Sequence, residues 1–388
     1  MHVVTLPLQH TSRACRRLNR IVRFYSSTRD PFKVLFFGRD EFSCLVLKEV
    51  LAAKDVWQSI QVVTQPDAKT GRRGSQLSIS PLKLLAEEAN LDVHTIPHAR
   101  SAFRTWQAPP PFSSEALSNA SRTPPPEHLL VTASFGRILS NSLLSMFLPS
   151  RRLNVHPSLL PAYRGAAPIQ HALMDGQDET GVCVIEMTEW KKGIDSGAIW
   201  ASERRLIPQD AMFPALRDTL ARTGGQLLVS VMRDMLAGKD TRAAQIDDPN
   251  APRAPLITAD HSMVNFETMT ASRIAMIYRA ISHQKPVAAV LNNGRTLQLH
   301  NPSVLVDQPA DLEKPLPVEG TGIFYPPERT LIIRCAEGTY LSVPEVRQQD
   351  RHLLKAKEWW NGVKPEMRLH GAPEGPVHFL PPTSMTTH

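Results

Sequence analysis

The sequence predicts an α/β chain in two parts: a Rossmann-like parallel sheet with crossover helices, then a small β-barrel of the OB-like kind. Three observations carry this. β-favouring runs alternate with helix-period segments between residues 32 and 156, a Pro-containing polar stretch interrupts the chain at 247–256, and short strand candidates with one helix fill the remainder of the chain. A length of 388 residues suits two domains, each able to bury a core.

Phe32 to Phe37 is a short β-favouring run ending at Gly38, and Phe42 to Ala53 has helical period. Gln61 to Thr64 reads as a second strand. Pro81 to Ala89 reads as a helix, with Ser80 as N-cap and Pro81 at the first helical position, where a missing N–H costs nothing. His128 to Ala133 is a strand, Leu139 to Phe147 a helix and Leu153 to His156 a strand. Between residues 100 and 127, Pro109-Pro110-Pro111, Ser113-Ser114 and Pro124-Pro125-Pro126 cluster without periodicity, which predicts an inserted, mobile surface loop. The catalytic part is therefore expected at 30–246, the linker at 247–256, the barrel at 257–362 and a tail at 363–388. Within the barrel, Ser272 to Ser282 is helical and Val287 to Leu291, Thr296 to His300, Gly322 to Tyr325, Thr330 to Cys335 and Tyr340 to Val343 are strands. Asn293-Gly294 is a two-residue hairpin signal between the first two.

The net charge is +7, from 44 Lys+Arg against 37 Asp+Glu. Residues 1–29 hold Arg13, Arg16, Arg17, Arg20, Arg23 and Arg29 and no acid, so removing these 6 leaves 38 against 37. An Arg-rich, acid-free, Ser/Thr-dotted segment with Leu18, Ile21, Val22 and Phe24 spaced for one helical side reads as a mitochondrial transit peptide, with Arg23-Phe24-Tyr25-Ser26 as a processing pattern. The expected location is the mitochondrial matrix. No apolar run reaches the roughly 20 residues that a membrane-spanning helix needs. Cys15, Cys44, Cys183 and Cys335 lie far apart with no C-x-x-C pair, against both a thiolate zinc site and a disulfide scaffold. A nicotinamide-binding fold fails at the first turn, where Gly38-Arg39-Asp40-Glu41-Phe42 has one glycine and the dinucleotide fingerprint needs three.

Residues 154–170 are densest in chemistry. Asn154 and His156, two apart on a strand, share one face at its end, and Pro157 stops regular pairing there. An amide and an imidazole converging on one point suit a developing oxyanion. Asp195, in Gly193-Ile194-Asp195-Ser196-Gly197, could orient the imidazole, although Asp beside Gly is also an ordinary turn former. On spacing alone, catalysis and structure both stay open.

The run Asn154 to Gln170 resembles the signature of folate-dependent formyltransferases, Asn-x-His-x-Ser-x-Leu-Pro with a distal Asp in Gly-x-Asp-x-Gly. The longer form Tyr163-Arg164-Gly165-Ala166-Ala167-Pro168-Ile169-Gln170 is similar to the branch that acts on methionyl-tRNA. Phe36-Phe37-Gly38, Thr64-Gln65-Pro66-Asp67 with Gly71-Arg72, and Ser134 to Leu139 agree with that branch, and similarity spans about 32–362. Pro157, Ala162, Tyr163, the Glu189-Trp190-Lys191-Lys192 approach and the 100–127 insertion depart from the pattern.

The resemblance implies a formyl transfer from 10-formyltetrahydrofolate to the α-amine of methionyl initiator tRNA. A monomer with no metal and no membrane association is expected alongside. The resemblance also implies Asn154 and His156 as oxyanion donors, Asp195 as support for His156 and acceptor of the amine proton, and Ser158, Leu159, Leu160 and Pro161 as a folate-binding loop. Leu159 and Leu160 also fit plain core positions. Lys69, Arg72 and Arg73 would meet the acceptor stem, or form a solvated turn. Arg347, Arg351 and Lys355, spaced by four in a last helical segment, would meet phosphates or simply face solvent. Other readings are a sister formyltransferase or hydrolase with a small-molecule or water acceptor, and a non-catalytic tRNA- or folate-binding protein.

Overall fold

The structure is a computed structural model that describes residues 30–70, 75–113, 123–306 and 312–382. The expected leader, Arg72 and Arg73 lie outside these residues.

The first half is built on β1 (Phe32–Gly38), α1 (Glu41–Ala52), β2 (Trp57–Thr64), a small hairpin β3 (Ala68–Thr70) and β4 (Gln76–Ser78), α2 (Pro81–Glu88) and β5 (Asp92–Thr95). It continues with α3 (Arg100–Phe103), β6 (His128–Ala133), α4 (Asn141–Leu144), β7 (Arg152–His156), β8 (Arg164–Gly165), α5 (Pro168–Met174), β9 (Glu179–Glu186), β10 (Ile199–Leu206) and the long α6 (Phe213–Leu236). The main sheet runs in the order β10-β9-β7-β6-β1-β2-β5. β5, β2, β1, β6 and β7 are parallel, as expected, but β9 lies antiparallel to both β7 and β10, so the sheet is mixed.

Every residue of β6 is buried, because both sheet faces are covered. Alternate side chains divide between two cores. Val34, Phe36, Val62, Leu129, Val131, Leu153 and Val155 pack with α1 and α6. Leu35, Phe37, Val63 and Leu130 pack with Phe103, Ala108, Phe112, Phe135, Leu143 and Phe147. Phe103, Ala108 and Phe112 belong to the segment expected to be a mobile surface loop. Its described part is instead a lid on the second core, with Phe112 stacked on Phe147 at 5.6 Å.

Gly224 lets α6 lie directly on the sheet. A Cβ there would sit 2.6 Å from Val155 Cγ1, on the strand between Asn154 and His156. Ser80 precedes α2 as expected but does not cap it through its side chain. Its hydroxyl donates to the Arg39 carbonyl at 2.7 Å and shares a 2.7 Å hydrogen bond with Thr64 Oγ1, tying β1, β2 and α2 together.

The second half has β11 (Arg253–Ala254), α7 (Ala271–Ile281), β12 (Ala288–Leu291), β13 (Thr296–His300), β14 (Ser303–Val304), β15 (Thr321–Tyr325), β16 (Thr330–Arg334), β17 (Tyr340–Val343), β18 (Glu345–Gln348), β19 (Leu354–Lys355), α8 (Ala356–Trp360) and β20 (Val377–Leu380). Nine antiparallel strands follow the order β14-β17-β16-β15-β20-β12-β13-β18-β19. The supposed tail thus supplies β20, inserted between β15 and β12, because Val377 and Phe379 alternate inward and bury. The supposed linker supplies β11, paired in parallel with β8. The β12–β13 turn is longer than two residues: Leu291 and Arg295 close it, and Gly294 takes the left-handed position at φ +76°.

Candidate active site

β6 and β7 end side by side, with Thr132 opposite Asn154 in register. The Thr132 hydroxyl donates to Asn154 Oδ1 at 2.7 Å, so the amide's nitrogen faces the other way and donates to Asp195 Oδ1 at 3.3 Å. His156 is buried, and its Nε2 lies 3.0 Å from the Tyr163 carbonyl. A carbonyl only accepts, so Nε2 carries a proton, and Nδ1 faces Asp195 Oδ2 at 3.6 Å, beyond hydrogen-bond range. The Gly165 N–H donates to the same Oδ2 at 3.1 Å. Asn154, His156 and Asp195 therefore do meet, but around the Asp195 carboxylate, and both ring nitrogens of His156 are already facing protein groups. Asn154 is the freer oxyanion donor of the two.

The carboxylate reaches this point on a left-handed residue, Asp195 at φ +53°, a conformation that Asp tolerates better than most side chains. The turn then returns into β10 through Gly197, where a Cβ would sit 1.7 Å from the Glu186 carbonyl oxygen. Tyr163 at φ +61° is a second left-handed residue beside the site. Such positions cost about 1–3 kcal/mol and persist when their surroundings over-determine them. Tyr163 is held at every polar group: its N–H donates to the Pro252 carbonyl at 2.6 Å, its carbonyl accepts from His156, and its hydroxyl donates to Asp175 at 3.2 Å. Burial, with Asp175 beside it, pushes the phenol well above its usual range and keeps it a neutral donor.

In the Ser158–Pro161 loop the side chains turn inward. Ser158 is fully buried and donates to the Ala162 carbonyl at 2.7 Å, and Leu160 packs on Cys183 and Ile185. Leu159 lies against Gly181. What this loop can offer a ligand is backbone. Burial pushes the neighbouring Cys183 thiol up to about 11, so it is no nucleophile.

The strand order reverses between β1 and β6, where a crevice for ligands is expected. There the Ser134 hydroxyl, from the end of β6, donates to Asp40 Oδ2. Asp40 lines a cleft of about 350 Å³ with Arg39, Glu41, Gln65, Pro66 and Ser78 to Pro81. Burial raises its carboxyl above the ordinary 3.8, against the opposing pull of its hydrogen bonds to Ser134 and the Ser43 N–H.

Lys69 is exposed on β3, and a 2.8 Å ion pair from Lys83 to Asp67 anchors the base of that hairpin. The expected cationic helix face does not form: Arg347 lies on β18, Lys355 on β19, and Arg351 in the turn between them, so no helical face unites them. The Arg347 guanidinium donates to the Arg351 carbonyl at 3.1 Å. All three remain exposed. Two residues at the site carry no signal in the sequence. Thr132 needs the β6–β7 register to be seen. Gln245, whose amide donates to the Asp195 carbonyl, sits in a polar stretch without periodicity or motif.

The formyl transferase profile matches residues 32–232, and the profile of the formyl transferase C-terminal domain matches 256–364. A sugar 3N-formyl transferase, WlaRD, superposes with a TM-score of 0.55 at 16% identity, over 84% of this chain and all (100%) of its own. The N-formyltransferase from Helicobacter canadensis, solved with folinic acid and dTDP-3-aminofucose, gives 0.53 at 15%, over 80% and 98%. Both share the fold. Sheet, strand-end turn and matched profiles define an enzyme of the formyltransferase class. Methionyl-tRNA formyltransferase of Syntrophus aciditrophicus is 30% identical over 85% of this chain and 96% of its own length, and that of Janthinobacterium sp. is 32% identical over 85% and 97%. The chain belongs to the methionyl-tRNA formyltransferase family.

Proposed function

We propose that this chain transfers the formyl group of 10-formyltetrahydrofolate to the α-amine of methionyl initiator tRNA, in the mitochondrial matrix. The observation that carries the chemistry is the Asp195 carboxylate, held by Asn154 Nδ2 and the Gly165 N–H with His156 Nδ1 on its flank. An α-amine of pKa about 8 is partly neutral near matrix pH and can attack the formyl carbon. Asp195 takes the proton that the amine must lose. Once neutral, Asp195 holds Asn154 Nδ2–H less strongly, just as the carbonyl electrons move onto oxygen, and that N–H becomes free to donate to the oxyanion. The oxyanion then collapses, the C–N10 bond breaks, and the folate N10 leaves with the proton that Asp195 gives back. His156, with Nε2–H fixed on the Tyr163 carbonyl, keeps its Nδ1 edge toward Asp195.

Loss of one oxyanion donor typically costs about 3–4 kcal/mol, so Asn154→Ala should lower kcat by roughly a hundredfold or more. Asp195→Asn, which cannot take the proton, should lose most turnover. Full activity in both folded variants would end this mechanism. For tRNA, Lys69, Arg72 and Arg73 are the leading contacts, and replacing all three should weaken tRNA affinity and flatten its dependence on salt while leaving folate affinity intact. The matrix location rests on the Arg-rich, acid-free residues 1–29. A mature N-terminus beginning well before Ser26 would contradict it.

A further inference from the structure

The segment joining the two domains runs along the back of the catalytic turn and grips it on both flanks. At the start of β10, the turn's exit strand, Ala243 and Ile199 exchange backbone hydrogen bonds at 2.8 and 2.9 Å, and the Thr241 hydroxyl donates to the Trp200 carbonyl at 3.0 Å. On the other flank β11 pairs with β8, Arg253 against Arg164 and Ala254 against Gly165, whose N–H holds Asp195. Between these two zippers sits Gln245.

The Gln245 amide uses its full hydrogen-bonding capacity on the site. Its Nε2 donates to the Asp195 carbonyl at 2.8 Å and to the Gly197 carbonyl at 2.7 Å, while its Oε1 accepts from Arg164 Nε at 3.0 Å and also from Nη2. The first of these carbonyls belongs to the left-handed residue that aims the carboxylate, and the second lies two residues on. A strained turn needs its surroundings to hold it, and an amide with two donors on two nearby carbonyls does so directly. Arg164, orienting that amide from the residue next to Gly165, ties the carboxylate's N–H donor to the same brace.

We propose that Gln245 is a positioning residue: from the interdomain segment it fixes the backbone of the Asp195 turn, and thereby where the catalytic carboxylate points. The segment that leads into the C-terminal half is thus tied to the catalytic turn through a hydrogen-bonded brace. The proposal rests on the reading of Asp195 as the proton acceptor.

The test compares the full-length enzyme with its Gln245→Ala, Gln245→Glu and Asp195→Asn variants in steady-state formyl transfer, with melting temperatures alongside. Glu keeps the size and can still accept from Arg164, but it cannot donate to two carbonyls. Both Gln245 variants should lose about ten- to a hundredfold in kcat, as misplacement of a reacting group does. KM for tRNA and for the folate donor should stay within about twofold, since no binding contact is removed. Wild-type kcat in Gln245→Glu would overturn the proposal by showing that only packing matters. So would a loss confined to KM, or failure of both variants to fold. An inactive Asp195→Asn beside active Gln245 variants would sink this inference alone, and an active Asp195→Asn would sink the reading beneath it.

Discussion

Replacing Thr132 by Val keeps the shape of a buried side chain and removes one hydroxyl. That hydroxyl donates to Asn154 Oδ1 at 2.7 Å and, with the Asp195 carboxylate on the other side, tells the two ends of the amide apart. In the variant, the amide has two poor choices. Left in place, its oxygen has lost its donor, which costs at most about 1–3 kcal/mol for a half-buried acceptor. Flipped, the oxygen faces the Asp195 carboxylate, which it repels, and the Nδ2–H needed at the oxyanion points at a methyl group. The melting temperature should fall by roughly 2–4 °C for each kcal/mol lost in a domain of this size. If the same energy is missing in the transition state, kcat falls by about 5- to 160-fold. The assay is formyl transfer to methionyl initiator tRNA at saturating donor, with Thr132→Ser as the variant that restores the hydroxyl. Wild-type kcat in Thr132→Val, or equal losses in Val and Ser, would refute the view that Thr132 sets the amide.

Asp40→Asn should raise the melting temperature at pH 7. Burial holds the folded carboxyl above its ordinary 3.8, so ionising it costs stability as pH rises through that range. The gain should be full above the folded value and vanish as pH falls toward 3.8, and a pH-independent effect would refute it. Gly224→Ala gains about 0.8–1 kcal/mol of helix propensity but places a Cβ 2.6 Å from Val155 Cγ1, an overpacking that costs about 1–3 kcal/mol. A net loss of stability together with lower kcat is expected, measured by urea unfolding and turnover. Phe112→Ala should cost about 3–5 kcal/mol in the same unfolding assay, because the ring is buried against Phe147 and His128. A neutral result would return the Pro-rich segment to the surface.

Much of the fold is legible in the sequence because it is local. β6 is read to the residue, since His128 to Ala133 is a β-favouring run of strand length around Leu129-Leu130-Val131. Asn154 and His156 are legible as a pair because a strand repeats every two residues, and Asp195 because the glycines around it allow an aimed turn. The features that escape a sequence reading depend on register and distance. Thr132 meets Asn154 only after β6 and β7 pair, and Gln245 meets the catalytic turn across 50 residues of chain. The helix expected at 347–355 fails for a different reason. Cations four apart say nothing about the buried face, and here Val346 inside a β-hairpin decides the structure. Likewise the prolines of the insertion mask Phe103 and Phe112, and the end of the chain hides a period-two pattern in Val377-His378-Phe379.

The most direct measurement is of where the formyl group goes. Formyl-labelled 10-formyltetrahydrofolate is incubated with the mature protein and, in separate reactions, charged methionyl initiator tRNA, glycinamide ribonucleotide, or buffer alone. Label should appear on the methionyl α-amine, at a rate that Asp195→Asn abolishes, and not on the nucleotide or as free formate. Label found only on the nucleotide, or released as formate whether or not tRNA is present, would contradict the function proposed for this chain.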